Sequence, residues 1–340
     1  MPAIRTNELE TLACAYLTDA GAAPGAAAQV ARAMVQAEAE GNPVCGLFYL
    51  TVFKEQMALG KVDGQAEPMV LSSAGSAIMV DAAGGFAHPA IRLATDTLIT
   101  MAREQGIAAA GISRSYNALS LAHHVLPLAR AGLIGLCCSN APASVAPPGG
   151  TAPLFGTNPL AFAVPGKDGP ALVIDQSASA VTKTAIMMRE EAGEEMPLGW
   201  AQDSAGQPTR DPAAGLAGSL LPYGGQKGAN TGLMIEILAA ALTGAQLSTQ
   251  APSFSGRDTG NPGVGQFLLA IDPAHFSGAR FAQSLTKLAE TYDAAKVRLP
   301  GRKFRADQGR PAPQMITVDA ELLAALQAVP KKSNPLRKPE

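Results

Sequence analysis

Between residues 70 and 140 the chain follows a βαβ-like rhythm in which amphipathic helices lead into short apolar strands. HPAIRLATDTLITMAREQG has the helical period and stops at Gly106, and IAAAGIS then reads as a strand. ALSLAHHVLPLARAG reads as the second helix, its regularity limited by Pro127, and LIGLCCSN as the second strand. Such alternation needs a sheet with helices laid against it, which makes the chain α/β. Ahead of this region, EPMVLSSAGSAIMVDA alternates like a short hairpin. Residues 7–40 read as two helices split by the GAAPG turn, with Asn7 and Glu10 marking the start. Residues 46–60 read as a third helix, ending at Gly60.

At 340 residues the chain has room for two packed subdomains. Its charged content of 16% lies below the roughly 25% of an average soluble protein. A surface this sparse in charge favours burial against another subunit, hence a homo-oligomer. The net charge of -2 leaves no footprint for nucleic acid or an anionic membrane as a partner. No run of about 18 apolar residues marks a membrane span, and MPAIRTNELETL carries acids where a signal core would be apolar. The expected location is cytoplasmic. The four cysteines and four histidines show no metal-ligand spacing, so no metal is expected. Cys137 and Cys138 read as the two faces of one buried strand.

Residues 141–170 are rich in Pro and Gly, yet Leu154, Phe155, Leu160, Phe162 and Val164 are too apolar to leave in water. They are read as an ordered loop system wrapped on a core, of the kind that serves ligands. ALVIDQSASA follows as a strand ending in serines, and MPLGWAQDSAGQPTRDP is irregular. LPYGGQKGANTG opens the most apolar helix, LMIEILAAALTGA. QFLLAID is then a strand, FAQSLTKLAETYDAA a helix, and the tail beyond 310 an arm or partly disordered. Neither GxGxxG nor the Walker spacing is present. Two weaker phosphate candidates remain. The turn Asp175–Ser179 presents hydroxyl and backbone donors, and Gly224–Gly228 offers Lys227 and a helix N-terminus. The alternative is that the serines cap a helix and the glycines only let it pack.

Taken in order, GLIGLCCSNAPASVAPPGGTAPLFGTNPLAFAVP, VIDQSAS, MPLGWAQDSAGQPTRDP, LLPYGGQKGANTGLMIEILAAALTGA and RLPGRK resemble the type 2 malate/L-lactate dehydrogenase family. The match runs from about residue 5 to 305. That family includes sulfolactate dehydrogenases and the Δ1-piperideine- and Δ1-pyrroline-2-carboxylate reductases. The resemblance implies an α/β fold with a non-Rossmann, dinucleotide-binding mixed sheet flanked by helices. It further implies a helical N-terminal subdomain (1–75) that contributes to the substrate site and the dimer. A nicotinamide dinucleotide-binding domain (76–290) and a C-terminal segment (291–340) that packs back, its tail partly flexible, complete the division. A homodimer, a small-molecule substrate and hydride transfer to a 2-keto or 2-imino acid follow, with NADPH as cofactor and NADH as the alternative. Carried over one by one, the cofactor positions are Ser115, Gly156, Thr157, Asn158, Ser177, Ser179, Lys183, Lys227, Gly228, Gly301 and Arg302. Where the family commonly reads Arg-Gly-Lys-Ile after the serines, this chain has Lys183, Thr184, Ala185 and Ile186.

The chemistry positions differ more. The family's Asp-Ser-His-Gly-x-x-Arg, whose Ser and His form a relay with a later Asp, is here Pro43, Val44, Cys45, Gly46, Leu47, Phe48 and Tyr49. Cys45 thus takes the seat of the acid, and Tyr49 that of the arginine able to hold a carboxylate. Ser-x-His-Phe-Gly is Ser115, Tyr116, Asn117, Ala118 and Leu119, so Asn117 replaces a second histidine. Asp175 remains as the carboxylate.

A positioned acid is worth ~10²–10⁴ in rate to a keto reduction, and a thiol of pKa about 8.5 is no direct substitute for a His–Asp pair. A cyclic imine binds its proton before hydride arrives, so Asp175 alone can suffice. Reduction of a cyclic imino acid is therefore the leading expectation. A 2-hydroxy acid dehydrogenase with a substitute donor is the first alternative, the donor being Cys45, His123, His124 or Tyr116, with at least one of the paired histidines pointing away from the core. A cofactor-binding homologue without catalysis is the second. Arg114 is a candidate replacement clamp for a substrate carboxylate, and His88 a candidate to face the cofactor pocket.

Overall fold

The structure, a computed structural model, describes residues 1–167, 169–258, 260–301 and 314–329. It starts with β1 (Ala3–Arg5), α1 (Thr6–Asp19), α2 (Pro24–Ala39) and α3 (Phe48–Ala58). Helix α1 starts one residue before Asn7, whose carboxamide oxygen accepts the Glu8 N–H. Helix α2 has Pro24 at its first position, where a missing N–H costs nothing. The three helices bury Leu9, Leu17, Val30, Met34, Leu50 and Phe53 in one core.

The central sheet is built from β2 (Met69–Ala74), β3 (Ala77–Asp81), β4 (Ile107–Ser115), β5 (Ile134–Ser139), β6 (Leu160–Gly166), β7 (Gly169–Gln176) and β10 (Val264–Ile271). Their order is β2-β3-β4-β10-β5-β6-β7. Only β3 and β4 pair in parallel, and every other neighbour is antiparallel. This is the expected mixed sheet, unlike a Rossmann sheet. Helices α4 (Ala87–Gln105) and α5 (Ala122–Arg130) lie on it, burying Ile91, Leu98, Val125 and Leu128 against Ala110, Ile112 and Cys137. Gly106 ends α4 at φ +82°, as its place in the sequence predicts.

Between β7 and β10 lie α6 (Lys183–Ala192), β8 (Ala201–Gln202), α7 (Pro212–Ala217), β9 (Ser219–Leu220) and α8 (Gln226–Glu236), and after β10 come α9 (Ala279–Ala294), β11 (Met315–Thr317) and α10 (Ala320–Gln327). Three expectations need correction. The Pro- and Gly-rich stretch 141–170 is not all loop, because Leu160–Gly166 completes the sheet between β5 and β7. Helix α5 begins only at Ala122, and residues 117–121 stay irregular. Part of the tail is ordered: β11 pairs with β1, and Leu323 and Leu326 of α10 join the N-terminal core. Residues 311–313 and 330–340, the rest of that tail, lie outside the described residues.

Candidate active site

A cavity of about 660 Å³ opens between the turn after α2, the irregular stretch 117–121, the ends of β5 and β7, the first turn of α6, and the segments 251–255 and 298–301. Cys45, Tyr49, Asn117, Asp175, Thr157, Ser177, Lys183 and Gly301 all line it. Residues distant in sequence are brought to one site.

Each of the chemistry positions is held by its own local device. The tight turn Pro43–Cys45 is backed by Glu38, whose carboxylate accepts the Leu47 N–H at 3.1 Å. A Cβ at Gly46 would overlap that same carboxylate and displace it from the Leu47 N–H. Tyr49 sits in the first turn of α3, with its hydroxyl 3.0 Å from Thr184 Oγ1 and Asn117 and Cys45 close by. Burial raises its pKa, so the phenol stays a neutral donor. Asn117 accepts the Leu119 N–H at 2.9 Å, closing a turn in which Leu119 takes φ +56°. Asp175, at the end of β7, accepts the Ser120 hydroxyl at 2.8 Å and the Ala122 N–H at 2.9 Å. The carboxylate therefore anchors the start of α5 while lining the cavity.

The cationic and helix-terminal features of the cavity lie around α6. Thr182 caps this helix, accepting the Ala185 N–H at 3.1 Å, and Thr182, Lys183 and Thr184 line the cavity. The helix N-terminus, the Lys183 ammonium and the Arg298 guanidinium form a donor set that suits a phosphorylated dinucleotide, while the Ser177 hydroxyl beside them donates to the Ser179 carbonyl at 3.0 Å. The cavity volume falls in the ordinary range for such ligands.

Several candidate positions have other roles. Tyr116 is buried among Phe53, Phe86 and Phe254 and donates its hydroxyl to the Phe254 carbonyl, so it is not a substitute acid. Ser115 Oγ donates to Gln266 Oε1 at 2.8 Å inside the sheet. Asn158, at φ +37°, spends its amide on the Gly232 carbonyl and Glu236. Ser179 donates to the Val181 carbonyl at 2.6 Å and is buried. Gly156 packs on Ala141 without lining the cavity. Lys227 and Gly228 also lie off the cavity wall, Gly228 packing on the Tyr223 backbone. Arg302 lies outside the described residues. Arg114 is no clamp: it is exposed and forms a two-bond pair with Asp81, one bond at 2.8 Å, which holds the Asp81 carboxyl below its usual range.

The histidines depart furthest from expectation. His124 is buried and the His123 side chain is only 7% exposed, because the start of α5 is covered on one side by Glu40 and on the other by α4. His123 Nε2 lies 3.2 Å from Glu40, and His124 Nε2 2.9 Å from the Ala118 carbonyl. His88, 4% exposed, faces His124 at 5.0 Å between ring centroids and does not reach the cavity. Burial pushes His88 well below its usual pKa, and pushes His124 down to about 4. An unfolded histidine takes a proton near pH ~6.5, whereas the folded His124 resists it until about pH 4. Stability is therefore complete above ~6.5 and falls as pH drops toward 4. Urea midpoints at pH 7.5, 6.5, 5.5 and 4.5 check this, with a shallower decline expected in His88→Leu. A midpoint constant from 7.5 to 4.5 would contradict it.

Ser120, Thr184, Arg298 and the segment 251–255 are site components that sequence reading missed. Ser120 lies inside the stretch 118–132 that the sequence pattern assigns to one helix, and Thr184 stands where the family has a glycine. Residues 251–255 carry no motif.

The sequence profile of the malate/L-lactate dehydrogenase family matches residues 4–327. The (2R)-3-sulfolactate dehydrogenase (NADP(+)) of Chromohalobacter salexigens is 42% identical over 303 residues, covering 89% of this chain and 91% of that protein. A Δ1-pyrroline-2-carboxylate/Δ1-piperideine-2-carboxylate reductase of Pseudomonas putida is 38% identical over 302 residues, covering 88% and 89%. The crystal structure of Δ1-piperideine-2-carboxylate reductase from Pseudomonas syringae pathovar tomato superposes with a TM-score of 0.90 at 33% identity, covering 97% of this chain and 100% of that one.

Proposed function

Because this chain belongs to the malate/L-lactate dehydrogenase family, we propose that it is an NADPH-dependent reductase of a cyclic 2-imino acid. It is an NAD(P)-dependent oxidoreductase, and NADPH, when bound, supplies the hydride. Lys183, Arg298 and the start of α6 would hold the cofactor phosphates.

One observation carries the choice of substrate: no histidine is among the described residues that line the cavity, and Asp175 does line it. A keto acid needs a positioned proton donor, whereas a cyclic imine enters as the iminium. The Asp175 carboxylate favours that protonated form and Tyr49 donates a hydrogen bond to the substrate carboxylate, so Cys45 serves as pocket wall. Cys45→Ala is accordingly expected to keep imine turnover within about threefold of wild type, with an unchanged pH profile. A loss of about a hundredfold would instead make the thiol the donor. That outcome would favour a 2-hydroxy acid dehydrogenase, the reading to which the 42% identical sulfolactate dehydrogenase points.

We also propose a homodimer. Leu233, Met234, Ile237 and Leu242 are each more than half exposed along α8 and the turns after it, an apolar stripe suited to a second copy. No helix among the described residues is long and apolar enough to cross a membrane. Four free cysteines fit the reducing cytoplasm.

A further inference from the structure

Lys61 follows the turn after α3 and is fully buried. Its ammonium donates to the Ser253 carbonyl at 2.6 Å, the Gly256 carbonyl at 3.1 Å and Asp258 Oδ1 at 2.8 Å. All three donors are thereby used, and all three go to one short segment. A methionine would fill much the same space without a charge to desolvate. The three bonds account for the ammonium, since burying a charge is costly unless its partners are in place.

The segment so held is a wall of the cavity, which Ala251, Ser253, Phe254 and Ser255 line. Asp258 Oδ2 folds back to accept the Ser253 N–H at 3.0 Å, and Tyr116 donates to the Phe254 carbonyl. A row of edge-on rings runs from Phe254 through Tyr116 and Phe53 to Tyr49, at 5.4, 5.1 and 5.8 Å between centroids. The wall is therefore in register with the Tyr49 side of the cavity. Phe254 packs partly buried against the N-terminal core, but Arg257 and Asp258 are 89% and 46% exposed at the side chain, so burial of their own side chains does not fix the end of the segment.

We propose that Lys61 is a positioning residue: it clamps 251–258 to the N-terminal helices, so that Phe254 and its neighbouring serines form a fixed wall against the substrate. This rests on reading the cavity as the substrate site. The test is Lys61→Met, examined in two ways on the full chain. Trypsin cleavage after Arg257, run well below the melting temperature, is expected to speed up about tenfold. The KM for Δ1-piperideine-2-carboxylate is expected to rise about fivefold, with kcat within about twofold and the KM for NADPH unchanged. Asp258→Asn keeps both carbonyl bonds and should shift the same two readouts in the same direction by about twofold, which carries the test if Lys61→Met does not fold.

Cleavage at the wild-type rate would overturn the clamp. Faster cleavage with an unchanged substrate KM would overturn the positioning role. A matched rise in both KM values with a lowered melting temperature would reduce Lys61 to general stability and also overturn it. If the wild-type protein reduces no cyclic imine, the proposed function fails separately, and the clamp is judged on the cleavage rate alone.

Discussion

Asp175→Asn is expected to lower kcat for a cyclic imine by roughly 10²–10³-fold, the usual loss when one electrostatic stabiliser is removed. The substitution is selective by geometry. An asparagine oxygen can still accept the Ser120 hydroxyl and the Ala122 N–H, at 2.8 and 2.9 Å in the native site, so the start of α5 stays anchored. What disappears is the charge that favours the iminium. NADPH affinity, measured by fluorescence, should hold within about threefold, because the cations and helix terminus proposed for the phosphates are untouched. A kcat within threefold of wild type would reduce Asp175 to a helix anchor. Joint loss of turnover, cofactor affinity and melting temperature would say the same.

Phe53→Ala should cost about 3–5 kcal/mol of unfolding free energy, read from urea unfolding. Phe53 is fully buried and stands between three rings: Phe86 stacked at 5.4 Å, Tyr116 at 5.1 Å and Tyr49 at 5.8 Å. Truncation leaves a cavity beneath the ring that carries the Tyr49 hydroxyl to Thr184, so the substrate KM should rise as well. Phe53→Leu fills most of that space and should recover more than half of the loss. A cost below about 1 kcal/mol would mean that the core collapses freely around the gap and that Tyr49 is positioned by other contacts.

The helix-closing glycine at 106 and the strand Ile107–Ser115 were legible because each is a local device. A left-handed residue ends a helix wherever it occurs, and the following apolar run is long enough to be a strand. Strand β6 was not, since Pro159, Pro165 and Gly166 bracket it with turn chemistry. It is a strand because β5 and β7 supply its partners. The apolar faces of Phe162 and Val164 were the signal that could have found it. Within the site, the substituted positions Cys45, Tyr49 and Asn117 and the carboxylate of Asp175 do converge on one cavity. The roles of Ser115, Asn158 and Tyr116 were illegible for the opposite reason. Gln266, Glu236 and Phe254 claim their polar atoms from far along the chain. His123 and Glu40 lie 83 residues apart, so nothing local marks them as a buried pair.

The most direct test of the imine reading follows NADPH oxidation by absorbance across a small panel of acceptors. It holds Δ1-piperideine-2-carboxylate, Δ1-pyrroline-2-carboxylate, pyruvate, oxaloacetate and a bulkier 2-keto acid. The site predicts turnover of the cyclic imines with the keto acids at least about a hundredfold slower, since the described residues that line the cavity include a carboxylate and no histidine. Keto-acid turnover equal to or faster than that of the imines, abolished in Cys45→Ala, would contradict it.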